Sequence, residues 1–286
     1  MKQIKKVVVI GAGVMGRQIA LHCAKFDFKV NLVDEFEESL QTGKDWIKEY
    51  FKRSIDNAKM DQASVDQANE KLTYSNSLDS SITDADLVIE SVIEDEGIKK
   101  DILQRVSKIV NEDTIITTNS SFLASSLFAD VVENPSRLAN LHFFTPVSRM
   151  SLVEIIKGPH TSDETIETLQ EFAKNIDKDS VVLQKEIDGF VVNRLLKVLM
   201  DEAVYLYDQG YADFKDIDIA AEKGLNHPVG PFRLMDMTGI DISYLNRLHR
   251  YEKTNDLKDK PADILKKKYE SGEFGRKTGK GWYNYD

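Results

Sequence analysis

A histidine and a glutamate lie in two neighbouring apolar runs of the sequence. His142 ends the run 138–141, and Glu154 interrupts the run 152–156, where a carboxylate without a partner would be costly to bury. If the two runs form adjacent strands, the carboxylate orients the imidazole and stabilises its positive charge, as a general acid and base acting on a hydroxyl group requires. The same spacing also fits an alternative without catalysis, in which the histidine is hydrogen-bonded in the core and the glutamate lies on an edge strand.

Polar side chains also follow the apolar run 114–118. Asn119, Ser120 and Ser121 come directly after this run, and ligands bind at the carboxyl ends of the strands in an open α/β sheet. We therefore expect their polar groups to face the same crevice as His142. A strand-end turn without a function would contain residues of the same types.

An asparagine interrupts a further apolar stretch. Asn193 lies within residues 190–196, and a buried amide needs a hydrogen-bond partner from the protein or from a ligand. Its position inside the stretch argues against a helix cap. A ligand contact and a hydrogen bond between helices are therefore the two interpretations.

Three glycines follow the first apolar run at the spacing of a dinucleotide-binding turn. Gly11, Gly13 and Gly16 come directly after residues 7–10 and open a helical pattern over 17–26. Gly11 permits the tight turn, Gly13 lets the backbone approach a pyrophosphate at the helix N-terminus, and Gly16 lets the helix pack closely on the strand. The motif predicts a dinucleotide site.

An acidic residue supports this interpretation. Asp34 ends the second apolar run, 30–33, eighteen residues after Gly16. A carboxylate at this point accepts hydrogen bonds from the ribose hydroxyls of an adenosine and repels a 2′-phosphate, which predicts NAD rather than NADP as the cofactor. An ordinary turn followed by a solvated loop acid is the alternative.

Short β-branched runs alternate with longer stretches of helical period from residue 6 to about residue 185. This alternation predicts a doubly wound, Rossmann-type α/β sheet. The connection after the second strand is long enough for two helices, over 37–55 and 62–71, which predicts a helical hairpin insertion that could cover a ligand. The strand candidates are residues 7–10, 30–33, 72–74, 87–92, 114–118, 138–143, 152–155 and 181–183.

The pattern becomes entirely helical after Asp188 and Gly189. We predict an NAD-binding domain over residues 1–186 and an all-helical C-terminal domain over residues 187–286. The first helix of the second domain is so apolar that we expect it to be buried within that domain or against another subunit. The helix candidates are residues 190–207, 214–223, 231–237, 244–250 and 262–271.

The composition excludes several other classes of protein. With 38 Lys and Arg against 48 Asp and Glu, the net charge is −10, which argues against a nucleic-acid partner. The single cysteine, Cys23, cannot form an internal disulfide, and no apolar run approaches the roughly 20 residues of a membrane span. No cluster of Cys, His, Asp or Glu has the spacing of a metal site. We therefore predict a cytoplasmic protein without a metal or a membrane partner.

Along essentially its whole length the chain resembles the short-chain L-3-hydroxyacyl-CoA dehydrogenases, including bacterial 3-hydroxybutyryl-CoA dehydrogenases. This resemblance implies NAD as the cofactor and an L-3-hydroxyacyl-CoA as the substrate, oxidised reversibly to the 3-oxoacyl-CoA. It also implies a homodimer formed through the helical domain. The matching segments are residues 11–16, 34, 88–94, 119–121, 141–144, 152–154, 189–194, 230–232 and 275–283.

The same resemblance implies a role for each catalytic residue. The residue matching His142 is the catalytic base, and the glutamate matching Glu154 orients it. The residues matching Ser121 and Asn193 hold the reacting oxygen of the substrate.

Further residues are implied on the cofactor side of the site. Glu94 and Lys99 resemble contacts to the ribose and phosphate side of the cofactor. Asn119 is assigned to the cofactor as well.

Departures from the family pattern leave two alternatives. Thr145 stands where the family usually has an asparagine, and Phe122 where it often repeats a serine; a catalytically silent NADH-binding protein would fit these changes. The family hairpin grips the CoA phosphates through a lysine-rich stretch, whereas this hairpin offers Lys52, Arg53 and Lys59 among acidic residues. A dehydrogenase of a free hydroxy acid, such as a sugar acid or a carnitine-like molecule, would fit that difference.

Overall fold

The computed structural model describes residues 3–285 and divides them into two compact units. The first unit ends at Val191 and the second begins at Val192. The division falls five residues after the domain boundary predicted from the sequence. Within residues 3–285, no helix combines the length and apolar character needed to cross a membrane.

The first unit is built on one eight-stranded sheet in the order β3-β2-β1-β4-β5-β6-β7-β8. Neighbouring strands are parallel except β6 and β7, which run antiparallel. The strands are β1 Lys6–Ile10, β2 Lys29–Val33, β3 Leu72–Ser75, β4 Leu87–Glu90, β5 Ile115–Thr118, β6 Leu138–Phe143, β7 Leu152–Ile156 and β8 Asp179–Leu183. Each corresponds to one of the predicted strands, so the predicted Rossmann-type sheet is confirmed.

In the described part of this unit, residues 3–191, five α-helices cover the sheet. Polar side chains begin three of them: the Asp61, Asp95 and Ser162 side chains each accept a hydrogen bond from a backbone N–H in the first turn of the helix that follows. The helices are α1 Val14–Lys25, α2 Glu37–Asp56, α3 Gln62–Lys71, α4 Glu96–Ile109 and α5 Asp163–Asn175. Helices α2 and α3 form the predicted hairpin insertion.

The central strands are buried on both faces, as expected for a parallel sheet between two helical layers. In β1, Val7 and Val9 pack into the core cluster that includes side chains of α1, α2 and α5. Val8 and Ile10 point to the other face, where they share a cluster with Leu103 of α4. Burying each of these side chains contributes about 1.5–3 kcal/mol, so the strand that leads into the glycine turn is firmly held.

One contact of α1 joins the hairpin to this core. The Arg17 guanidinium lies 5.1 Å from the centre of the Trp46 ring on α2, a cation–π arrangement that stabilises by roughly 0.5–1 kcal/mol at partly exposed sites. Lys25, two turns further along α1, lies 5.9 Å from the Tyr50 ring. Helix α2 is thus fixed along α1, beside the glycine turn that begins α1.

Within residues 192–285, the second unit consists of helices joined by turns and loops, with isolated β-bridges in its tail. An aromatic cluster fills its core, in which the rings of Tyr207, Phe214 and Phe232 contact Trp282. Its helices are α6 Val192–Asp208, α7 Phe214–Ile219 with a π-helical turn over Ala220–Gly224, α8 Pro231–Thr238, α9 Ile240–Thr254 and α10 Asp263–Glu270.

Helix α6 differs from its prediction in where it begins, and its apolar side chains are only partly buried within the chain. It begins at Val192, two residues later than the pattern indicated, and its buried residues are Met200, Ala203 and Val204. Leu195 and Val198 remain 68% and 65% exposed. The helix is therefore not buried all round within the chain, and burial of its apolar side chains against another subunit stays a prediction.

Two buried aspartates connect the helices of the second unit to its tail. The Asp236 carboxylate on α8 accepts hydrogen bonds from the backbone N–H groups of Trp282 and Tyr283, at 2.8 and 2.9 Å, and from the Tyr285 hydroxyl at 2.9 Å. Asp218 accepts from the first turn of α8 and from the Tyr283 hydroxyl. Burial raises the pKa of Asp218, and hydrogen bonds from its donors oppose that shift.

We expect Asp236→Ala to lower the free energy of unfolding by about 3 kcal/mol, because three donors lose a buried ionic acceptor at once. The midpoint of urea denaturation measures the change. Glu252→Ala, which removes an exposed carboxylate from α9, is the control and should alter stability by less than about 0.5 kcal/mol. Equal effects of the two substitutions would contradict the anchoring role of Asp236.

Candidate active site

The antiparallel pairing of β6 and β7 brings a histidine and a glutamate together. His142 lies directly opposite Glu154 in the register of the two strands, and the distance from His142 Nδ1 to Glu154 Oε2 is 2.9 Å. The other carboxylate oxygen of Glu154 accepts a hydrogen bond from the Val191 N–H at 2.9 Å. Glu154 is fully buried, and both of its oxygens are satisfied, so it holds the imidazole in one orientation.

The far side of the imidazole faces a hydroxyl group. His142 Nε2 lies 3.0 Å from Ser121 Oγ, and the rings of Phe144 and Phe190 lie 4.5 and 5.5 Å from the imidazole. With Nδ1–H donated to Glu154, Nε2 is the nitrogen that can exchange a proton with a bound hydroxyl group. The imidazole therefore lies between a carboxylate and a hydroxyl group in a mainly apolar surrounding, and its role as a general acid and base stays a prediction.

Asn119 supports the same strand ends. Its side-chain oxygen accepts a hydrogen bond from the Phe143 N–H at 2.8 Å, and its own N–H donates to the Glu90 carbonyl at 2.8 Å. The residue therefore joins the ends of β4, β5 and β6 next to His142. Its predicted contact with the cofactor stays a prediction.

The glycine turn has the geometry that a dinucleotide requires. Gly11 has a φ of +101°, and a Cβ atom on Gly16 would lie 1.8 Å from the Gly11 carbonyl oxygen, so neither position accommodates a side chain. A Cβ atom on Gly13 would meet nothing within 4 Å. Gly13 begins α1 without a side-chain cap, and backbone N–H groups at such a helix start bind anionic groups. The turn therefore fits the pyrophosphate of NAD.

Asp34 lies at the carboxyl end of β2, next to this turn. Its Oδ2 accepts a hydrogen bond from the Ala12 N–H at 2.8 Å, and its Oδ1 accepts from the Phe36 N–H at 3.0 Å. The carboxylate is thus fixed beside the glycine turn, and its contact with the adenosine ribose of NAD stays a prediction.

Glu94 and Lys99 have partners inside the protein. Lys99 is only 1% exposed, and its ammonium group lies 2.7 Å from Glu90 Oε1 and 3.3 Å from Glu94 Oε2. Burial raises the pKa of the Glu94 carboxyl, but hydrogen bonds and the charge of Lys99 outweigh this and lower it overall, so the group is ionised at neutral pH. The contacts of both residues with NAD stay predictions.

Gln18 is a residue of the site that the sequence analysis missed. Its amide oxygen accepts a hydrogen bond from the Val147 N–H at 3.0 Å, and its amide nitrogen donates to the Val14 carbonyl at 2.9 Å and to Thr145 Oγ1 at 3.4 Å. It therefore connects the dinucleotide helix to the loop after His142. A glutamine among the apolar positions of α1 was the available signal.

Asn193 belongs to the second unit. The sequence analysis assumed that it lies inside a helix, but α6 begins at Val192, so Asn193 is in the first turn and half-buried. A ligand contact is still one interpretation. Its predicted contact with the reacting oxygen stays a prediction.

Two other reactive side chains have structural roles. Burial lowers the pKa of His22 to about 4, and its Nε2 lies 2.9 Å from the Ile176 carbonyl oxygen. Burial raises the pKa of the Cys23 thiol to about 12, so this cysteine is protonated and unreactive. Among residues 3–285, no group of three or more His, Cys, Asp or Glu side chains could hold a metal ion.

Comparisons with known proteins agree over both units. The NAD-binding domain of 3-hydroxyacyl-CoA dehydrogenase matches residues 6–187, and the C-terminal domain of that enzyme matches residues 189–285. The mitochondrial hydroxyacyl-coenzyme A dehydrogenase of Sus scrofa is 36% identical over 289 residues, which cover 99% of this chain and 91% of that protein.

Two solved structures share the fold over the full length of the chain. The (S)-3-hydroxybutyryl-CoA dehydrogenase from Ralstonia eutropha has a TM-score of 0.88 and 34% identity, over 99% of this chain and all of that one. A diketoreductase that acts on dicarbonyl compounds has a TM-score of 0.87 and 30% identity, over 100% of both chains.

A dinucleotide turn at the end of β1 and a histidine–carboxylate pair on β6 and β7 together define a nicotinamide-dependent dehydrogenase. The chain belongs to the 3-hydroxyacyl-CoA dehydrogenase family. It is an oxidoreductase whose cofactor is NAD. This membership argues against the catalytically silent NADH-binding protein that the sequence left open.

The open space at Gly13 leads to a prediction about the cofactor. Gly13→Ala should leave the melting temperature within about 2 °C of the wild-type value, since its φ of −63° suits alanine and the added methyl group meets no protein atom. The same methyl group should weaken NADH binding by at least about tenfold, because it occupies the space through which the pyrophosphate approaches the helix.

Titration of NADH fluorescence gives the dissociation constants of the wild-type protein and of Gly13→Ala. Gly97→Ala, in the first turn of α4, is the matched control and should bind NADH as the wild type does. An unchanged affinity in Gly13→Ala would place the pyrophosphate elsewhere.

Proposed function

We propose that the protein catalyses the reversible, NAD-dependent oxidation of a short-chain L-3-hydroxyacyl-CoA, such as 3-hydroxybutyryl-CoA, to the 3-oxoacyl-CoA. The observation that carries this proposal is the continuous chain of hydrogen bonds from Ser121 through His142 to Glu154. This series of hydrogen bonds ends at the Ser121 hydroxyl, on the side of the imidazole away from Glu154. An alcohol would be oxidised there.

In this reaction His142 is the general base. Its Nε2 takes the proton of the C3 hydroxyl group, and Glu154 stabilises the positive charge that develops on the ring. The Ser121 hydroxyl holds the same oxygen within hydrogen-bond distance of the imidazole. NAD, when bound, accepts the hydride from C3. In the reverse direction the protonated His142 returns its proton to the alkoxide oxygen.

The proposal of a short acyl chain rests on the relatives. The Ralstonia eutropha protein is named for 3-hydroxybutyryl-CoA, the CoA thioester of a four-carbon acid. The similarity covers 99% of this chain and all of that one. We propose further that Asn193 contributes a second contact to the reacting oxygen, and that the helical domain forms a homodimer in the cytoplasm. The exposed Leu195 and Val198 on α6 support burial of that helix in a dimer.

A free dicarbonyl or hydroxy acid is the second candidate substrate. Helix α2 carries four basic side chains against five acidic ones, and Arg53 lies 3.2 Å from Glu49 on the same helix. The hairpin therefore has no excess of positive charge for the phosphates of CoA. The similarity to a diketoreductase over the whole chain supports the same candidate.

The absorbance of NADH at neutral pH distinguishes the two candidates. We expect it to decay rapidly on addition of acetoacetyl-CoA and not on addition of acetoacetate, and we expect NADPH to be inactive because Asp34 repels the 2′-phosphate. Reduction of acetoacetate at an equal rate, without inhibition by free CoA, would favour the free acid. Binding of NADH without reduction of either compound would contradict both the four-carbon thioester and the four-carbon free acid as substrates.

The role of His142 has its own test. His142→Gln should bind NADH within about twofold of the wild-type affinity and lose roughly 10²–10⁴-fold in kcat, the usual contribution of a positioned general base. Steady-state kinetics with acetoacetyl-CoA measure the loss. The same substitution at the exposed His249 is the matched control. Full turnover by His142→Gln would remove His142 from the proposed role.

A further inference from the structure

One carboxylate oxygen of Glu94 bonds three residues of the turn that contains Ser121. Glu94 Oε1 accepts hydrogen bonds from the backbone N–H groups of Ser121 and Phe122, each at 3.2 Å, and from the Ser120 hydroxyl. Three successive residues of the turn are therefore held by one atom. A carboxylate that accepts several N–H donors is a strong local constraint on the backbone.

The Ser120 side chain closes the same turn from within. Its Oγ accepts hydrogen bonds from the Leu123 N–H at 2.7 Å and from the Phe122 N–H at 3.3 Å while its proton goes to Glu94. Ser120 is 2% exposed, so its hydroxyl bonds to the protein rather than to solvent.

A buried ion pair fixes the position of Glu94. The Lys99 ammonium group binds Glu94 on one side and Glu90 on the other. Glu90 is fully buried, and it also accepts hydrogen bonds from the Val92 N–H at 2.7 Å and from the Thr118 hydroxyl at 2.6 Å. Because a buried charge is tolerated only with such partners, Lys99 stays between the two carboxylates and restrains Glu94.

We propose that Glu94 and Ser120 are positioning residues for the proposed reaction. Their hydrogen bonds hold the turn so that Ser121 Oγ lies 3.0 Å from His142 Nε2. The inference rests on the proposed function, because it matters for catalysis only if Ser121 and His142 act on the substrate. It gives Glu94 a role through Ser121, whether or not Glu94 also contacts the cofactor.

A double-mutant cycle separates a role through Ser121 from an independent one. Ser120→Ala should lower kcat for acetoacetyl-CoA about tenfold, the effect of losing roughly one well-formed hydrogen bond. In the Ser121→Ala background the same substitution should lower kcat less than about twofold, because the group that it positions is gone. Ser120→Thr, which retains a hydroxyl group, should recover most of the activity.

Glu94→Gln tests the other half of the proposal. At saturating NADH it should also lower kcat in the wild-type background and have little further effect in Ser121→Ala. An effect of Glu94→Gln that persists in Ser121→Ala, together with weakened NADH binding, would overturn the positioning role and leave a direct cofactor contact. Full additivity of Ser120→Ala with Ser121→Ala would overturn the role of Ser120.

A readout without substrate keeps this inference distinct from the proposed function. In protein containing ¹⁵N-labelled histidine, Ser120→Ala should shift the Nε2 resonance of His142 in the same direction as Ser121→Ala, since both weaken the Ser121–His142 hydrogen bond. The exposed Ser126→Ala is the matched control and should leave the resonance in place. An unmoved resonance in Ser120→Ala overturns the positioning role; a shifted resonance in a protein that does not reduce acetoacetyl-CoA supports that role and overturns the proposed substrate.

Discussion

A carboxylate buried inside the sheet is the constraint on which the site depends. Glu154 has no exposed surface, and removing one partner from such a group costs about 3–5 kcal/mol. Its partners are His142 on the neighbouring strand and the backbone of Val191, at the end of the first unit. A slip of one residue between β6 and β7 would turn Glu154 to the opposite face of the sheet. The register of these two strands is therefore tied to the orientation of the imidazole.

The same principle governs the neighbouring strand ends. Glu90 ends β4 and Thr118 ends β5, and the hydrogen bond between their side chains joins the two strands where the Ser121 turn begins. Buried polar groups that satisfy one another leave few alternative arrangements. The ends of the strands thus anchor the turn that carries Ser121.

The sequence predicted the fold well because the strands of this sheet are short apolar runs in a fixed alternation with helices. All eight strands and the α2–α3 hairpin have the predicted order, and their limits differ by up to two residues. Strand β4 ends at Glu90 rather than at residue 92, because the backbone after Glu90 turns to bond its side chain. Periodicity carries no information about such a bond.

The site was predicted in part. The sequence predicts that His142 and Glu154 lie on adjacent strands. Whether their side chains meet depends on the register of the two strands, which a single sequence does not specify. The environments of Lys99 and Gln18 were harder still to predict from the sequence. A lysine in the first turn of a helix is usually solvated. Lys99 is instead buried and forms an ion pair with Glu90 on another element. The sequence contains no sign of a pair between such separate elements.

The distribution of the two tryptophans gives each unit its own optical label. Trp46 lies on α2 under the Arg17 guanidinium, and Trp282 lies in the aromatic core of the second unit. Replacing either tryptophan by phenylalanine would leave a chain whose tryptophan fluorescence, excited selectively over tyrosine, comes from a single unit. Loss of structure in the sheet and in the helical unit would then be separate signals, and the thermodynamic coupling between the two units would become directly observable.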